Sequence, residues 1–218
     1  MLYKEKMAQI KAIIEDAADI RDEIKECMDW HYGNDSPPNK VLGSSGRTVY
    51  STGKIETDEG EEIYLALKLY PCKNNPDTAK EEIIREIALF DHFNELGMPV
   101  PGFSVMIEAD GRYGTLTEDL THDIRYKLME FYSDRQKLKQ IENYQELLAL
   151  TILEWEEVFC ENGFDGVPFS SLFVQKDEKN RGKLVFADLD SRNMRHIPDG
   201  IMKEFHERYP DKEYELVL

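Results

Sequence analysis

The chain has 218 residues, of which 44 are acidic and 27 are basic, so its formal charge is −17 at pH 7. A chain of this length can build the core of one large domain or the cores of two small lobes. Nucleic acid and anionic membrane are unfavourable partners, because both repel an acidic surface and no cluster of lysine and arginine offsets the charge. We therefore expect no nucleic-acid partner and no membrane partner.

The number and spacing of the cysteines, and the lengths of the apolar runs, indicate in which cellular compartment the protein would be found. Cys27, Cys72 and Cys160 are odd in number and widely spaced, which fits neither a disulfide framework nor a zinc site. The N-terminal segment is charged, and no apolar run approaches the length of a membrane span. We therefore expect a soluble, cytoplasmic protein in a reducing compartment, while the oligomeric state stays open.

The first 120 residues alternate between helical and strand patterns. Residues 3–30 carry apolar side chains at helical spacing, and we expect this helix either to brace the protein or to bind a partner. The segments RTVYSTGKIE and EIYLALKLYP alternate around an acidic turn and predict a β-hairpin. A helix is predicted from Asp77 to Gly97, followed by two strands around the turn ADGR. The order is therefore helix, hairpin, helix, hairpin.

The remainder of the chain is predicted to be mainly helical. The clearest helix, YQELLALTILEWEEVFCENG, has an apolar stripe of the kind that packs into a core: Leu147, Leu148, Ile152, Trp155 and Phe159. SSLFVQKDEKNRGKLVFADLD then predicts a small hairpin, and DGIMKEFHERY a short last helix. We place the domain boundary near Leu120, which gives an N-terminal helix over 1–38, a first lobe over 39–120 and a second lobe over 121–218.

Two charged residues of the first lobe raise a specific question. Lys68 lies near the end of the apolar strand EIYLALKLYP, and Glu86 lies in the helix that follows. They could form one buried ion pair, or Lys68 could extend into solvent from the edge of the sheet. Glu82, one helical turn earlier, is the competing partner. Because burying an ion pair costs free energy, a fold that keeps one is expected to use it.

The order of these elements resembles the protein-kinase-like superfamily over about Lys40 to Asn193. The resemblance implies an α+β fold with two lobes: an N-lobe of antiparallel sheet with a helix, and a reduced, mostly helical C-lobe. LALKLY resembles the third-strand motif V-A-x-K of the family. This implies that Lys68 contacts nucleotide phosphates and that Glu86 holds Lys68 in place.

Two further segments resemble the nucleotide-binding parts of the family. VLGSSGRTVY lies where the glycine-rich loop would be, although its spacing departs from G-x-G-x-x-G-x-V, and GSSG also occurs as an ordinary turn. The resemblance implies that Val49 contacts the adenine. It assigns the phosphate contacts to the small residues of the loop, Gly43, Ser44, Ser45 and Gly46. YGTLTEDL resembles the fifth strand and the hinge, which implies adenine contacts from the backbone of Thr117, Glu118 and Asp119.

The resemblance is weaker in the segment GFDGVPFSSLFV, which corresponds to the catalytic loop. Asp165 would accept the proton of an attacking hydroxyl group. Ser170 stands where the family has its metal-binding asparagine, and serine is a poorer magnesium ligand. The histidine or arginine that braces this loop in the family is missing. The alternative interpretation is that FDGVPF is an ordinary turn.

KLVFADLDSRN resembles the strand that leads into D-F-G. The resemblance implies that Asp188 binds magnesium, with Asp190 as a second carboxylate of the kind familiar from aminoglycoside-type phosphotransferases. A pair of carboxylates in a loop is alternatively a solvated turn. The sequence ends too soon after Asp190 to contain the activation segment and docking helices of a full protein kinase, so we expect a reduced second lobe.

We therefore predict a compact phosphotransferase that uses ATP and Mg²⁺, with a protein or a small molecule as acceptor. The alternative is a pseudokinase that acts as a nucleotide-binding or protein-binding regulatory module, which the altered catalytic loop favours. A third interpretation is an acidic α+β interaction protein unrelated to kinases.

Overall fold

The computed structural model describes residues 3–33, 41–43, 48–70, 76–121, 127–130, 135–189, 194 and 196–218. These residues form helices and two sheets in which antiparallel pairing dominates, so the predicted α+β class is confirmed. The chain divides into two compact units. The first contains Met1–Ile87, Gly102–Asp119 and His206–Leu218, and the second contains Ala88–Pro101 and Leu120–Phe205.

The helices of the described residues are α1 (Tyr3–Asp16), α2 (Ala18–Gly33), α3 (Pro76–Glu95), α4 (Arg135–Leu138), α5 (Tyr144–Ala149), α6 (Glu156–Glu161) and α7 (Ile201–Arg208). A π-helical segment, Leu150–Trp155, joins α5 to α6, and a 3-10 turn covers Phe169–Ser171. Among these residues no helix combines the length and the apolar character that a membrane span needs.

The strands of the same residues are β1 (Val41–Gly43), β2 (Thr48–Glu56), β3 (Glu62–Leu69), β4 (Ser104–Ala109), β5 (Arg112–Glu118), β6 (Lys127–Glu130), β7 (Leu172–Lys176), β8 (Gly182–Phe186) and β9 (Glu215–Val217). The pairs β2–β3, β4–β5 and β7–β8 are antiparallel hairpins. All three hairpins predicted from the sequence are thereby confirmed, as is the helix after the first of them.

The six-stranded sheet of the first unit has the order β1-β2-β3-β5-β4-β9. Its last pair differs from the others, because β9 runs parallel to β4 and aligns Met106 with Glu215. The backbone N–H of Met106 donates to the carbonyl of Tyr214 at 2.7 Å, and Lys80 forms an ion pair with Glu215 at 3.2 Å. The residues from His206 onward therefore belong to this unit, although the sequence analysis grouped them with the second lobe.

The N-terminal segment forms two helices where the sequence predicts one, because the helix is interrupted at Ala17. Both helices bury apolar side chains and pack on the six-stranded sheet. The imidazole of His31 in α2 lies 2.8 Å from the hydroxyl of Tyr50 and 2.7 Å from the carbonyl oxygen of Tyr70. Glu23 accepts a hydrogen bond of 3.1 Å from the backbone N–H of Gly53. These contacts attach α2 to both β2 and the end of β3.

The second unit contains the three-stranded sheet β6-β7-β8 and a cluster of aromatic side chains. Phe93, near the end of α3, lies at ring-centroid distances of 4.7 Å from Phe159, 5.4 Å from Phe164 and 5.3 Å from Phe186. Trp155 lies 5.4 Å from Phe186 on the other side. This cluster joins helix, loop and sheet into one core.

The predicted apolar stripe of the long helix is only partly correct. Leu147, Trp155 and Phe159 are buried, but Ile152 is 48% exposed and Thr151 is fully buried in its place. The reason is the π-helical segment, which holds more residues per turn than an α-helix and so shifts the following side chains around the axis. The hydroxyl of Thr151 donates to the carbonyl of Leu147 at 2.6 Å, as expected for a threonine turned towards its own helix.

The environments of the described cysteines predict different reactivities. Cys27 is buried, and desolvation, followed by the nearby charges of Glu23 and Glu26, raises the pKa of its thiol to about 12. Cys160 is exposed. Because the thiolate is the nucleophile, we expect iodoacetamide at about pH 8 to alkylate Cys160 and to leave Cys27 unmodified in the folded protein.

Peptide mass spectrometry would follow each cysteine separately, including Cys72, which lies outside the described residues. Denaturation in guanidinium is the control and should make Cys27 reactive. Alkylation of Cys27 in the native protein at the rate of Cys160 would contradict the burial described above.

Candidate functional site

Lys68 and Glu86 form a buried ion pair within the first unit. Lys68 lies in β3 and Glu86 in α3, and the ammonium Nζ donates to Oε1 of the carboxylate at 2.6 Å. Their side chains are 7% and 0% exposed. The predicted pairing is therefore confirmed, and Glu86 rather than Glu82 is the partner. The roles of these residues towards a nucleotide stay predictions.

The strand register determines what lies beside Lys68 on its face of the sheet. Lys68 pairs with Val49 of β2 on one side and with Thr115 of β5 on the other. Directly paired residues of antiparallel strands point to the same face, so these three side chains share it. Ala66 and Thr117, two residues away on β3 and β5, also lie on this face. The valine expected to contact adenine therefore lies next to the lysine expected to contact phosphate.

This face of the sheet also carries buried hydroxyl groups. Within the described part of the chain, Oγ of Ser104 and Oγ1 of Thr115 have no hydrogen-bond partner. The hydroxyl of Thr117 donates to the carbonyl of Phe103 at 2.9 Å. The face that bears Lys68 is therefore more polar than the opposite face of the sheet. On that opposite face β3 places buried leucine side chains, which alternate along the strand with Lys68.

The residues expected at the hinge are engaged within the first unit. A carboxylate oxygen of Glu118 accepts a hydrogen bond of 2.9 Å from the backbone N–H of Gly102. The backbone N–H of Asp119 donates to the carbonyl of Tyr64 at 2.8 Å. Oγ of Ser51 donates to the carboxylate of Asp119 at 3.3 Å. An adenine contact at the backbone of Asp119 would therefore have to use its carbonyl oxygen.

The segment expected to contact phosphates connects β1 to β2. Gly43 ends β1 and pairs with Val49 of β2 in antiparallel register. The expected phosphate-binding residues Ser44, Ser45 and Gly46 lie outside the described residues. The pairing of β1 with β2 nevertheless brings both ends of this segment close to Val49, which shares a face with Lys68.

In the second unit, Asp165 and Ser170 line one cleft with a volume of about 490 Å³. Both residues are exposed. The cleft is also lined by Phe169 and Met194, which provide apolar surface, and by Glu156 and His196, which provide polar groups. Asp165, the expected base, therefore lines the same cleft as Ser170, which was expected to bind the metal.

Two of the expected metal ligands flank the β7–β8 hairpin, one before it and one after it. Ser170 is in the turn before β7, and Asp188 follows β8. The backbone N–H of Ala187 donates to the carbonyl of Ser171 at 3.1 Å, so the neighbours of both residues meet at one end of the hairpin. Asp188 is half-buried. Asp190, the second expected carboxylate, lies outside the described residues, and the described ones contain no cluster of three or more metal-ligating side chains.

Glu156 is a residue of this cleft that the sequence analysis missed. It begins α6, and its Oε2 accepts a hydrogen bond of 3.1 Å from the backbone N–H of Val167. Glu156 and Glu157 are adjacent in the sequence, but in a regular helix Glu156 lies nearer than Glu157 to the face of the buried Trp155 and Phe159. Helical spacing was therefore a signal that could have pointed to Glu156. Glu156 is half-buried at the cleft, whereas Glu157 is exposed.

No protein-family model matches the chain, and no curated protein sequence matches it. A similarity is found to a solved structure, the proinflammatory kinase CtkA of Helicobacter pylori, with 13% sequence identity and a TM-score of 0.44. The match covers 80% of this chain and 63% of that kinase, so the chain spans less than two thirds of it. A likeness at this level establishes neither the family nor the function.

The buried ion pair predicts the stability of variants. Lys68→Met leaves a carboxylate with no exposed surface beside an apolar side chain, and we expect it to lower the free energy of unfolding by about 3–5 kcal/mol. The double variant Lys68→Met with Glu86→Leu should lose less than Lys68→Met alone, because both buried charges are gone. Urea denaturation measures these free energies.

Lys54→Met is the matched control. Lys54 and Glu62 form an ion pair in the same hairpin, but their side chains are 51% and 49% exposed. Pairs at the surface contribute little, so this variant should be much less affected than Lys68→Met. Equal losses in the two variants would show that burial does not make the Lys68–Glu86 pair special.

Proposed function

We propose that the protein is a compact phosphotransferase with a two-lobed, protein-kinase-like fold, which transfers the terminal phosphoryl group of ATP with the help of Mg²⁺. The observation that carries this proposal is the buried ion pair between Lys68 and Glu86. Two buried charges cost more desolvation free energy than an apolar pair would, so stability alone gives no reason to keep them. A lysine held rigidly for phosphate contacts gives such a reason.

The first unit would bind the nucleotide. Lys68 would contact the phosphates, and Glu86 would hold the ammonium group in position. The small residues of the β1–β2 connection, Gly43 to Gly46, would surround the phosphates with backbone N–H groups. Val49 supports this assignment, because it shares a face of the sheet with Lys68 and would contact the adenine. The backbone carbonyl of Asp119 would complete the adenine contacts, because the backbone N–H of Asp119 and the backbone of Thr117 are engaged within the sheet.

The second unit would supply the remaining chemistry. Asp165 is exposed in the cleft, where it would accept the proton of the hydroxyl group that attacks the phosphoryl group. The acceptor itself, a protein or a small molecule, stays open. Because phosphoryl transfer needs little covalent chemistry from the protein, positioning and charge would account for the catalysis.

The residues near Asp188 fit a magnesium ion. Mg²⁺ prefers oxygen ligands and usually keeps several waters, so one or two carboxylates with phosphate oxygens suffice. Asp188 and the hydroxyl of Ser170, which flank the β7–β8 hairpin, would provide such oxygens, and Asp190 would be the second carboxylate. Magnesium would neutralise charge that develops on the phosphates.

One observation favours a pseudokinase as the second candidate. The backbone N–H of Asp119 already donates to Tyr64, so one of the groups expected to contact adenine is engaged within the sheet. With a serine in place of the metal-binding asparagine, the same fold could act as a protein-binding module without phosphoryl transfer.

Thermal denaturation tests the nucleotide and metal sites together. We expect ATP with Mg²⁺ to raise the melting temperature of the wild type, since a ligand at 100 times its Kd stabilises the folded state by about 2.7 kcal/mol. Asp188→Asn should lose the part of this rise that depends on Mg²⁺, because an amide replaces the metal-binding carboxylate.

Asp199→Asn is the control, because it removes the same charge from an exposed position of the second unit. It should behave like the wild type. A rise that persists in Asp188→Asn would remove Asp188 from the metal site. The absence of any rise with ATP, with or without Mg²⁺, would overturn the phosphotransferase proposal and leave the protein-binding module.

A further inference from the structure

The loop that carries Asp165 is held without the residues that brace it in the family it resembles. Gly163 and Phe164 occupy the two positions before Asp165, where the family has a histidine followed by arginine or glycine. Asp165 itself is exposed. An exposed carboxylate on a loop has no fixed direction unless the backbone on both sides of it is anchored, so the contacts of its neighbours decide how it is presented.

The residue before Asp165 is anchored by packing. Phe164 is buried in the aromatic cluster, with ring-centroid distances of 5.4 Å to Phe93 and 5.4 Å to Phe159. His92 lies against the same ring at 5.8 Å. The backbone N–H of Phe164 also donates to the carbonyl of Phe159 at 3.0 Å. The backbone on the N-terminal side of Asp165 is therefore held in place by Phe164.

The residues after Asp165 are anchored by Glu156. Its Oε2 accepts a hydrogen bond of 3.1 Å from the N–H of Val167, and Val167 is buried. Gly166 has a φ of +142°, a backbone conformation that residues with a side chain rarely adopt. A Cβ at this position would lie 2.7 Å from Oε1 of Glu156. The carboxylate of Glu156 therefore lies directly against the backbone of Gly166 and Val167.

The direction of Glu156 follows from the helix that carries it. The π-helical segment ends at Trp155, and Trp155 packs on Phe186 at 5.4 Å. Glu156 is the next residue, so the packing of the buried tryptophan holds the helix backbone next to Glu156 in place. Short π-helical segments within α-helices are frequent at functional sites.

We propose that Glu156 is a positioning residue for Asp165. Its carboxylate holds the backbone of Gly166 and Val167, while the aromatic cluster holds Phe164, so Asp165 is presented to the cleft from a loop fixed on both sides. Glu156 thereby replaces the missing bracing residues. The consequence for catalysis rests on the proposed function, whereas the contact with the loop does not.

Hydrogen exchange at the amide of Val167 tests the contact directly. A hydrogen bond to a charged acceptor protects a backbone N–H, and we expect Glu156→Ala to increase its exchange rate by about tenfold or more. Glu156→Gln keeps an oxygen acceptor of the same reach and should retain most of the protection. Glu157→Ala, which changes the exposed neighbour, should exchange like the wild type. An unprotected amide in the wild type overturns the proposal.

The kinetics of ATP hydrolysis with Mg²⁺ test the consequence for catalysis. If Glu156 positions Asp165, Glu156→Ala should lower kcat by about 100-fold, because small displacements of a catalytic group have effects of this size. The KM for ATP should change by no more than about twofold, since Glu156 does not contact the nucleotide in the proposed function. Glu156→Gln should restore most of kcat, and Glu157→Ala should match the wild type.

The outcomes separate this proposal from the one on which it rests. An unchanged kcat in Glu156→Ala, or kcat and KM that worsen together, overturns the positioning role. No hydrolysis in the wild type overturns the proposed function and the effect on catalysis, while the exchange of Val167 still decides whether Glu156 holds the loop. If Glu156→Ala does not fold, Glu156→Asp serves instead, because its shorter side chain should lose both protection and kcat.

Discussion

Glu86 has no exposed surface, and the ammonium group of Lys68 is its buried partner at 2.6 Å. Moving two charges out of water costs on the order of several kcal/mol per ion, and only close approach and further hydrogen bonds recover it. This pair therefore constrains the position of α3 on the sheet, together with the ion pair between Lys80 of α3 and Glu215 of β9. The register of β3 with β2 and β5 is constrained as well, because a shift by one residue would move Lys68 to the opposite face.

The rest of the first unit stabilises the strand that carries Lys68. The helices α1 and α2 pack on the sheet, and the imidazole of His31 contacts groups of both Tyr50 and Tyr70. Tyr50 follows Val49 in β2 and so points away from the face of Lys68, which means that α2 covers the other face. The strand β9 pairs with β4 and covers an edge that would otherwise expose unpaired backbone groups. The sheet that contains Lys68 therefore contacts α2 on the opposite face and pairs with β9 along one edge.

In the second unit, the loop that carries Asp165 is anchored on both sides while Asp165 itself is exposed. Burial does not hold this carboxylate in place. The aromatic cluster around Phe93 buries Phe164 instead, and Glu156 binds the backbone of Val167. The sequence neighbours of Asp165 therefore hold the loop, and its carboxylate stays exposed to the cleft. Catalytic groups on loops depend on such support from well-packed elements.

The pairing of Glu86 with Lys68 was an expectation from the resemblance to the protein-kinase-like superfamily, since helical spacing alone left Glu82 open as the partner. The sequence by itself determined the α+β class, the three hairpins and the helix of Glu86. These features follow from periodicity and turn residues, which act over a few positions and are visible in one segment at a time. Only the tertiary structure decided the pairing of β9, because a three-residue strand has too little pattern to indicate a partner. It also decided that Ile152 is exposed, since a π-helical segment breaks the helical spacing on which the prediction relied. The contact of Glu156 with Val167 joins a carboxylate to a backbone N–H eleven residues away, and a backbone donor has no signature in the sequence.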